Sequence, residues 1–228
     1  MFYIDTYYLV LVVPALLLSV WAQYKVKSTF SRYAAEQARR GVTGAEAAAS
    51  LLSAAGIRNV RIERVSGSLT DHYDPSTKTL RLSDTVYKER SIAAIGVAAH
   101  ETGHAIQDAE RYAPLVLRST LVPLANIGSS AGPVLAVLGI VLGFGVLIQA
   151  GIVLFACAVA FYLITLPVEI NASRRAVSML GRQGILDAGE LAGAKQVLTA
   201  AALTYVASAL TAVANLIRLV LMSRSRKN

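Results

Sequence analysis

Apolar positions along this chain follow two regimes. Residues 7 to 23 form a predominantly apolar stretch without charge, residues 119 to 168 are charge-free throughout, and residues 197 to 217 form a third, Ala-rich uncharged run. A helix needs roughly 20 apolar residues to cross a bilayer. The first stretch therefore predicts one span. The second predicts two, turning tightly near Gly143-Phe144-Gly145, as a helical hairpin that returns the chain to the side it left. Between these runs the pattern is that of an ordinary domain. Thr43-Gly44-Ala45-Glu46 before an Ala/Leu run is a capping box and Gly56 a stop, so a helix is expected near 44 to 55. Val60-Arg61-Ile62-Glu63-Arg64-Val65 alternates at period two and predicts a strand. Two further short strands should flank the turn at Asp74-Pro75-Ser76-Thr77, completing a small antiparallel sheet. From Ser91 to about Tyr112 a helix follows whose first half is apolar nearly all round, hence buried, with Pro114 at its end.

The first stretch is bracketed by Tyr3, Tyr7 and Tyr8 on one side and by Trp21 and Tyr24 on the other, residues suited to membrane interfaces. Asp5 precedes it and Lys25, Lys27 and Arg32 follow, the reverse of a secretory signal, so it reads as an uncleaved anchor. By the positive-inside rule its N-terminus faces out and the following segment faces the cytoplasm. The run 197 to 217 is long enough for a fourth span, the reading preferred here. That span would place Arg224, Arg226 and Lys227 outside, against the positive-inside bias; a helix packed on the domain or lying at the interface is the alternative.

These elements predict an α+β, zincin-like catalytic domain, predominantly helical with a small sheet, joined to integral membrane α-helices. The expected organisation is an anchor at 1–24, a first catalytic part at 25–113, a hairpin at 114–168, a polar helical segment at 169–196, and a C-terminal helix with basic tail at 197–228. Composition agrees: 55% of the 228 residues are hydrophobic and 16% charged, and mean hydropathy is +0.53, too apolar for a soluble domain. The net charge of +8 flanks apolar stretches and forms no dense basic tract, so it points to acidic lipid headgroups and not to nucleic acid. The single cysteine, Cys157, lies in an apolar run, which excludes a disulfide framework and a Cys-based zinc site.

Candidate chemistry sits in the middle of the buried helix, in His100-Glu101-Thr102-Gly103-His104. Residues four apart lie one above the other, so the two imidazoles can bind one metal ion, with Glu101 about 100° round beside the open position. The preceding Ile95-Gly96-Val97-Ala98-Ala99 is apolar, and unpaired imidazoles buried there would be costly. Zinc would activate water and Glu101 would move its proton. Gly103 would let a neighbouring backbone or a substrate come close. A catalytic zinc site takes three protein ligands. The only other histidine is His72, so a carboxylate is favoured. Glu169, the only charged residue between Arg118 and Arg174, is the candidate. Its competing role is an interface carboxylate paired with Arg174 or Arg175.

Asp71-His72-Tyr73-Asp74-Pro75, Leu80-Arg81-Leu82-Ser83, Ala98-Ala99-His100-Glu101-Thr102-Gly103-His104-Ala105-Ile106-Gln107 and Glu169-Ile170-Asn171-Ala172-Ser173-Arg174-Arg175-Ala176 together resemble the YugP-type neutral zinc metallopeptidases of bacteria. The resemblance covers nearly the whole chain. More distantly, the arrangement is similar to HtpX-type and CAAX prenyl membrane proteases, where a transmembrane hairpin separates the two-histidine helix from a helix supplying a glutamate ligand. That resemblance implies Glu169 as third ligand of a single Zn2+ ion, and a place in the bacterial inner membrane. Those relatives carry Asp four residues after the glutamate, where this chain has Ser173. Ser173, Asn171 or Asp108 could orient an imidazole instead.

His72 suits a hydrogen-bond donor to a transition-state oxyanion, or else a plain exposed hairpin histidine; Tyr73, Tyr87 and Tyr205 are weaker candidates for the same work. A free sheet edge could add an extended peptide as an extra strand. The function expected is a membrane zinc endopeptidase acting on peptides or membrane proteins. A non-catalytic scaffold stapled by metal, and a hydrolase of non-peptide amides, are the alternatives.

Overall fold

Local signals set the helix boundaries. Thr43 Oγ1 accepts from Glu46 N at 3.2 Å while Glu46 Oε2 accepts from Thr43 N at 2.7 Å. This box opens α2 (Gly44–Ala54), and Gly56, at φ +72°, closes it. Ser91 caps α4 (Ile92–Ala109) through Ala94 N at 3.2 Å. At the start of α7 (Ala188–Ser225), Asp187 N donates to Glu190 Oε2 and Glu190 N donates to Asp187 Oδ1, both at 2.9 Å. The computed structural model describes residues 5–225; Tyr3, Arg226 and Lys227, named above for interface and tail, lie outside the described residues.

The chain divides into two compact units. One comprises residues up to Gln23, Val116–Pro167 and residues from Leu203 on; the other comprises Tyr24–Leu115 and Val168–Ala202. Four helices are long and apolar enough to cross a membrane. They are α1 (Val13–Ala34) with the π-helical turn Tyr8–Val12 before it, α5 (Ala113–Leu142), α6 (Gly145–Arg182) and α7. Pro114 opens α5 instead of merely ending α4, consistent with proline's tolerance in a first helical turn.

In the first unit, α5 and α6 pack antiparallel about the turn at Gly143–Phe144. A β-carbon on Gly132 would stand 2.8 Å from Phe155 N, and one on Gly139 2.6 Å from Ile148 N. Small residues at this spacing let two backbones touch where lipid supplies no hydrophobic drive. The helices α1 and α7 are also antiparallel neighbours. Arg218 donates to Asp5 Oδ2 from Nε at 2.8 Å, and the Ser19 and Thr211 hydroxyls lie 3.2 Å apart.

The second unit holds the sheet, whose order is β1-β3-β2 over β1 (Arg61–Val65), β2 (His72–Asp74) and β3 (Thr79–Ser83). The sheet is mixed and not wholly antiparallel as expected: β2 pairs antiparallel with β3, but β1 pairs parallel with it. Two chain reversals separate β1 from β3, so they point the same way. Leu80 and Leu82, fully buried, suit β3 to the centre, while amphipathic β1 takes an edge. The short α3 (Asp84–Tyr87) leads on to α4. Ala93, Ala94, Ile95, Ala98 and Ala99 have no exposed surface and form the middle of this unit's core, with Leu51, Val86, Leu180 and Leu198. That burial places the middle of α4, and its motif, deep against α6.

Candidate metal centre

His100 and His104 lie one turn apart on α4, their ring centroids 4.7 Å apart and their planes at 86°. Both Nε2 atoms face one carboxylate oxygen: Glu169 Oε2 stands 3.2 Å from His100 and 3.5 Å from His104. The three ligand atoms lie within 4.8 Å of one another, and Glu169 is only 2% exposed. Arg175, offered above as a competing partner for Glu169, turns instead to Glu110 and to Asn171, each at 2.7 Å.

Two closely packed helices create this convergence. Gly103 faces α6, and a β-carbon there would stand 2.8 Å from the Ala172 carbonyl oxygen. The expectation that Gly103 admits a neighbouring backbone thus holds, with α6 as the neighbour. Pro167 removes one rung of the α6 ladder two residues before Glu169.

Each imidazole is oriented by its other nitrogen. His100 Nδ1 is 3.1 Å from Ser173 Oγ, so Ser173, one of the three candidates for this work, is the one that meets this ring. His104 Nδ1 is 3.0 Å from Gln107 Oε1, and Gln107 Nε2 donates to Val168 O and Asn171 Oδ1, both at 2.9 Å. A buried amide with all these bonds made is a rigid support. Gln107 was not singled out as an orienting group in the sequence. Its signal was weak: a polar residue three positions after His104, on the buried face. Asp108, which was singled out, serves elsewhere, accepting from Tyr73 Oη and Lys78 Nζ at 2.6 Å each and so tying the β2–β3 hairpin to α4.

The field at the site favours positive charge. Burial acts against an imidazolium at His104, yet its hydrogen bond to Glu169 and the charges of Glu101 and Glu169 lift its pKa above the ordinary value. Asp71 shows the same negative field: burial raises its pKa against the pull of its bonds from Ser83 N and Oγ, and the Glu101 charge raises it further. The same negative charge would attract a metal cation. Glu101 itself is half-buried and has no hydrogen bond or ion pair among the described residues.

His72 stands apart from this cluster. It is exposed on β2, with Nδ1 2.9 Å from Thr70 O and Nε2 3.5 Å from Arg81 Nη1. Tyr73 is engaged with Asp108, Tyr87 packs on the core, and Tyr205 belongs to the other unit.

A family model described as "Putative neutral zinc metallopeptidase" matches residues 8–224. The chain is 49% identical over 215 residues to the "Putative membrane protease YugP" of Bacillus subtilis (strain 168), a match covering 94% of this chain and 96% of that protein. No solved structure matches it. With nearly every residue of the chain inside that family model, and a largely buried His-His-Glu cluster that could hold a metal ion, the chain belongs to the neutral zinc metallopeptidase family.

Proposed function

We propose that this chain is a membrane-embedded zinc endopeptidase that cleaves membrane or membrane-proximal proteins, with His100, His104 and Glu169 holding one ion and Glu101 acting as general base. The observation carrying this reading is the convergence of three ligand atoms within 4.8 Å beside a carboxylate, Glu101, that has no hydrogen-bond partner among the described residues. Two imidazoles and a carboxylate are a donor set that zinc accepts, and the Nδ1 contacts of Ser173 and Gln107 direct both Nε2 lone pairs to one point.

A zinc ion held there supplies Lewis-acid activation of water and of the scissile carbonyl. Glu101 follows His100 on α4, about 100° round the helix, so its carboxylate borders the ligand cluster. It takes a proton from the attacking water and returns it to the leaving amine. Glu169 neutralises part of the added charge, and its burial keeps competing water away. Both outer strands of the sheet, β1 and β2, offer an edge to which an extended substrate could add. The exposed ring of His72 on β2 suits contact with such a strand.

Lys25, Lys27 and Arg32 after the first span favour a cytoplasmic catalytic unit in a bacterial inner membrane. The antiparallel pairing of α1 with α7 favours α7 as a fourth span. The test uses full-length protein in liposomes: Glu101→Gln should retain zinc while peptide cleavage falls by roughly 10²- to 10⁴-fold. Equal cleavage by the variant would sink the general-base role. Zinc bound with no peptide cleaved by the unaltered protein would favour a scaffold, and cleavage of lipid amides alone would favour a non-peptide hydrolase.

A further inference from the structure

Between α6 and α7 in the second unit runs an open groove of about 470 Å³. Its floor is apolar, with Ile170, Val177 and Leu198, and two cations border it, Arg174 and Lys195. Among the described residues, no acidic side chain lines it. Both cations are exposed, and neither makes an ion pair or hydrogen bond among the described residues, whereas the adjacent Arg175 is held by Glu110 at 2.7 Å.

The groove lies where charge-free sequence gives way to polar sequence on both helices. The uncharged stretch of α6 ends at Val168, and that of α7 begins at Val197. At 1.5 Å rise per residue, Arg174 stands roughly 9 Å beyond the one boundary and Lys195 roughly 3 Å beyond the other. The headgroup layer is roughly 5–8 Å thick on each side of the hydrocarbon. Lys195 thus falls within that layer and Arg174 at its outer margin, and two cations so placed over an apolar floor match the two halves of one molecule.

We propose that this groove binds an anionic phospholipid, its phosphate held between Arg174 and Lys195 and an acyl chain laid against Ile170 and Leu198. The Ser178 and Thr199 hydroxyls, also in the groove, can donate to the glycerol phosphate. Lipids of this charge are drawn to basic sites between helices. A soluble anion would leave the apolar floor uncovered, and an acidic peptide has no reason to sit at headgroup depth. Ser173 lines the groove and also contacts His100 Nδ1 at 3.1 Å, so the lipid would sit on the far side of the residue that orients a metal ligand.

The experiment is native mass spectrometry of the full chain from micelles containing equal phosphatidylglycerol and phosphatidylcholine. One phosphatidylglycerol should be retained per chain and phosphatidylcholine should not. The double variant Arg174→Gln, Lys195→Gln should retain at least about tenfold less, as loss of two surface cations implies. A variant with the same charge loss elsewhere, Arg58→Gln with Lys88→Gln, should retain lipid normally. Thr199→Trp, which fills the groove without changing charge, should also expel it, so the test does not hang on one variant folding. Zinc content, measured in parallel, should stay constant throughout, which separates this proposal from the reading of the metal site. Undiminished lipid retention by both groove variants would overturn it. So would equal retention of phosphatidylcholine, or displacement of the lipid by glycerol phosphate or an acidic peptide.

Discussion

Gly103 of α4 and Ala172 of α6 touch through their backbones, with the Ala172 carbonyl oxygen 2.8 Å from where a β-carbon on residue 103 would lie. The contact falls between the two histidines on one helix and three residues after Glu169 on the other. Helix separation there sets the distance between the imidazoles and the carboxylate.

Gly103→Ala should therefore act on the metal through packing. Forcing a methyl group against a backbone carbonyl costs about 1–3 kcal/mol. Zinc affinity, measured by competition with a chromogenic chelator, should fall while the helical circular dichroism persists. Unchanged zinc affinity would show that the helices can part without moving the ligands.

Gln107 and Ser173 should each matter to zinc without touching it. Gln107→Leu removes the partner of His104 Nδ1 and one bond each to Val168 O and to Asn171 Oδ1, which keeps its bond from Arg175, and Ser173→Ala frees the His100 ring. Loss of such orienting contacts typically weakens metal binding about 10- to 100-fold. Gln107→Leu should show the larger drop, because its amide makes three bonds and Ser173 one to the ring. Chelator competition on both variants checks the order.

Glu169→Gln preserves shape and removes the charge. If Glu169 is a ligand, zinc per chain should drop sharply in metal analysis of the purified variant. If it only braces the helices, zinc content should match that of the unaltered protein.

The link from the hairpin to α4 rests on Asp108, which accepts from Tyr73 Oη and Lys78 Nζ at 2.6 Å. The phenol pKa of Tyr73 is raised by burial first and by its bond to Asp108 next. Asp108→Ala should lower stability by about 1–3 kcal/mol, since it strips the partner from a partly buried donor pair. Chemical denaturation in detergent would measure this. The zinc stoichiometry should not change.

The direction of α7 is open to labelling. Replacing Cys157 leaves no cysteine, so a single cysteine can then be placed at Ser225. If α7 spans beside α1 and antiparallel to it, an impermeant thiol reagent should reach that position from outside intact cells. Protection from outside, with labelling after permeabilisation, would make α7 an interfacial or buried helix.

Much of the architecture is written in short-range signals. The box at Thr43, the turn at Asp74, the charge-free run to Val168 and the spacing of His100 and His104 each depend on neighbours within a few residues, and each reads correctly. The sheet shows where such reading stops. Nothing local in Arg61–Val65 says which strand it will join, because pairing depends on which strand can be buried on both faces, and that place went to Leu80 and Leu82 of β3. The parallel pairing is thus a tertiary outcome.

The candidate metal site divides in the same way. Sequence alone determined the two imidazoles on one helical face, the glutamate beside them, and the runs long and apolar enough to cross a membrane, because helix periodicity and hydrophobic length act within a segment. Only the tertiary structure decided that Glu169, sixty-five positions beyond His104, meets both imidazoles, that Ser173 and Gln107 orient them, and that Asp108 is spent on the hairpin. Those facts depend on how closely α6 packs on α4, a distance set by backbone contact at Gly103. No pattern within either segment encodes that distance.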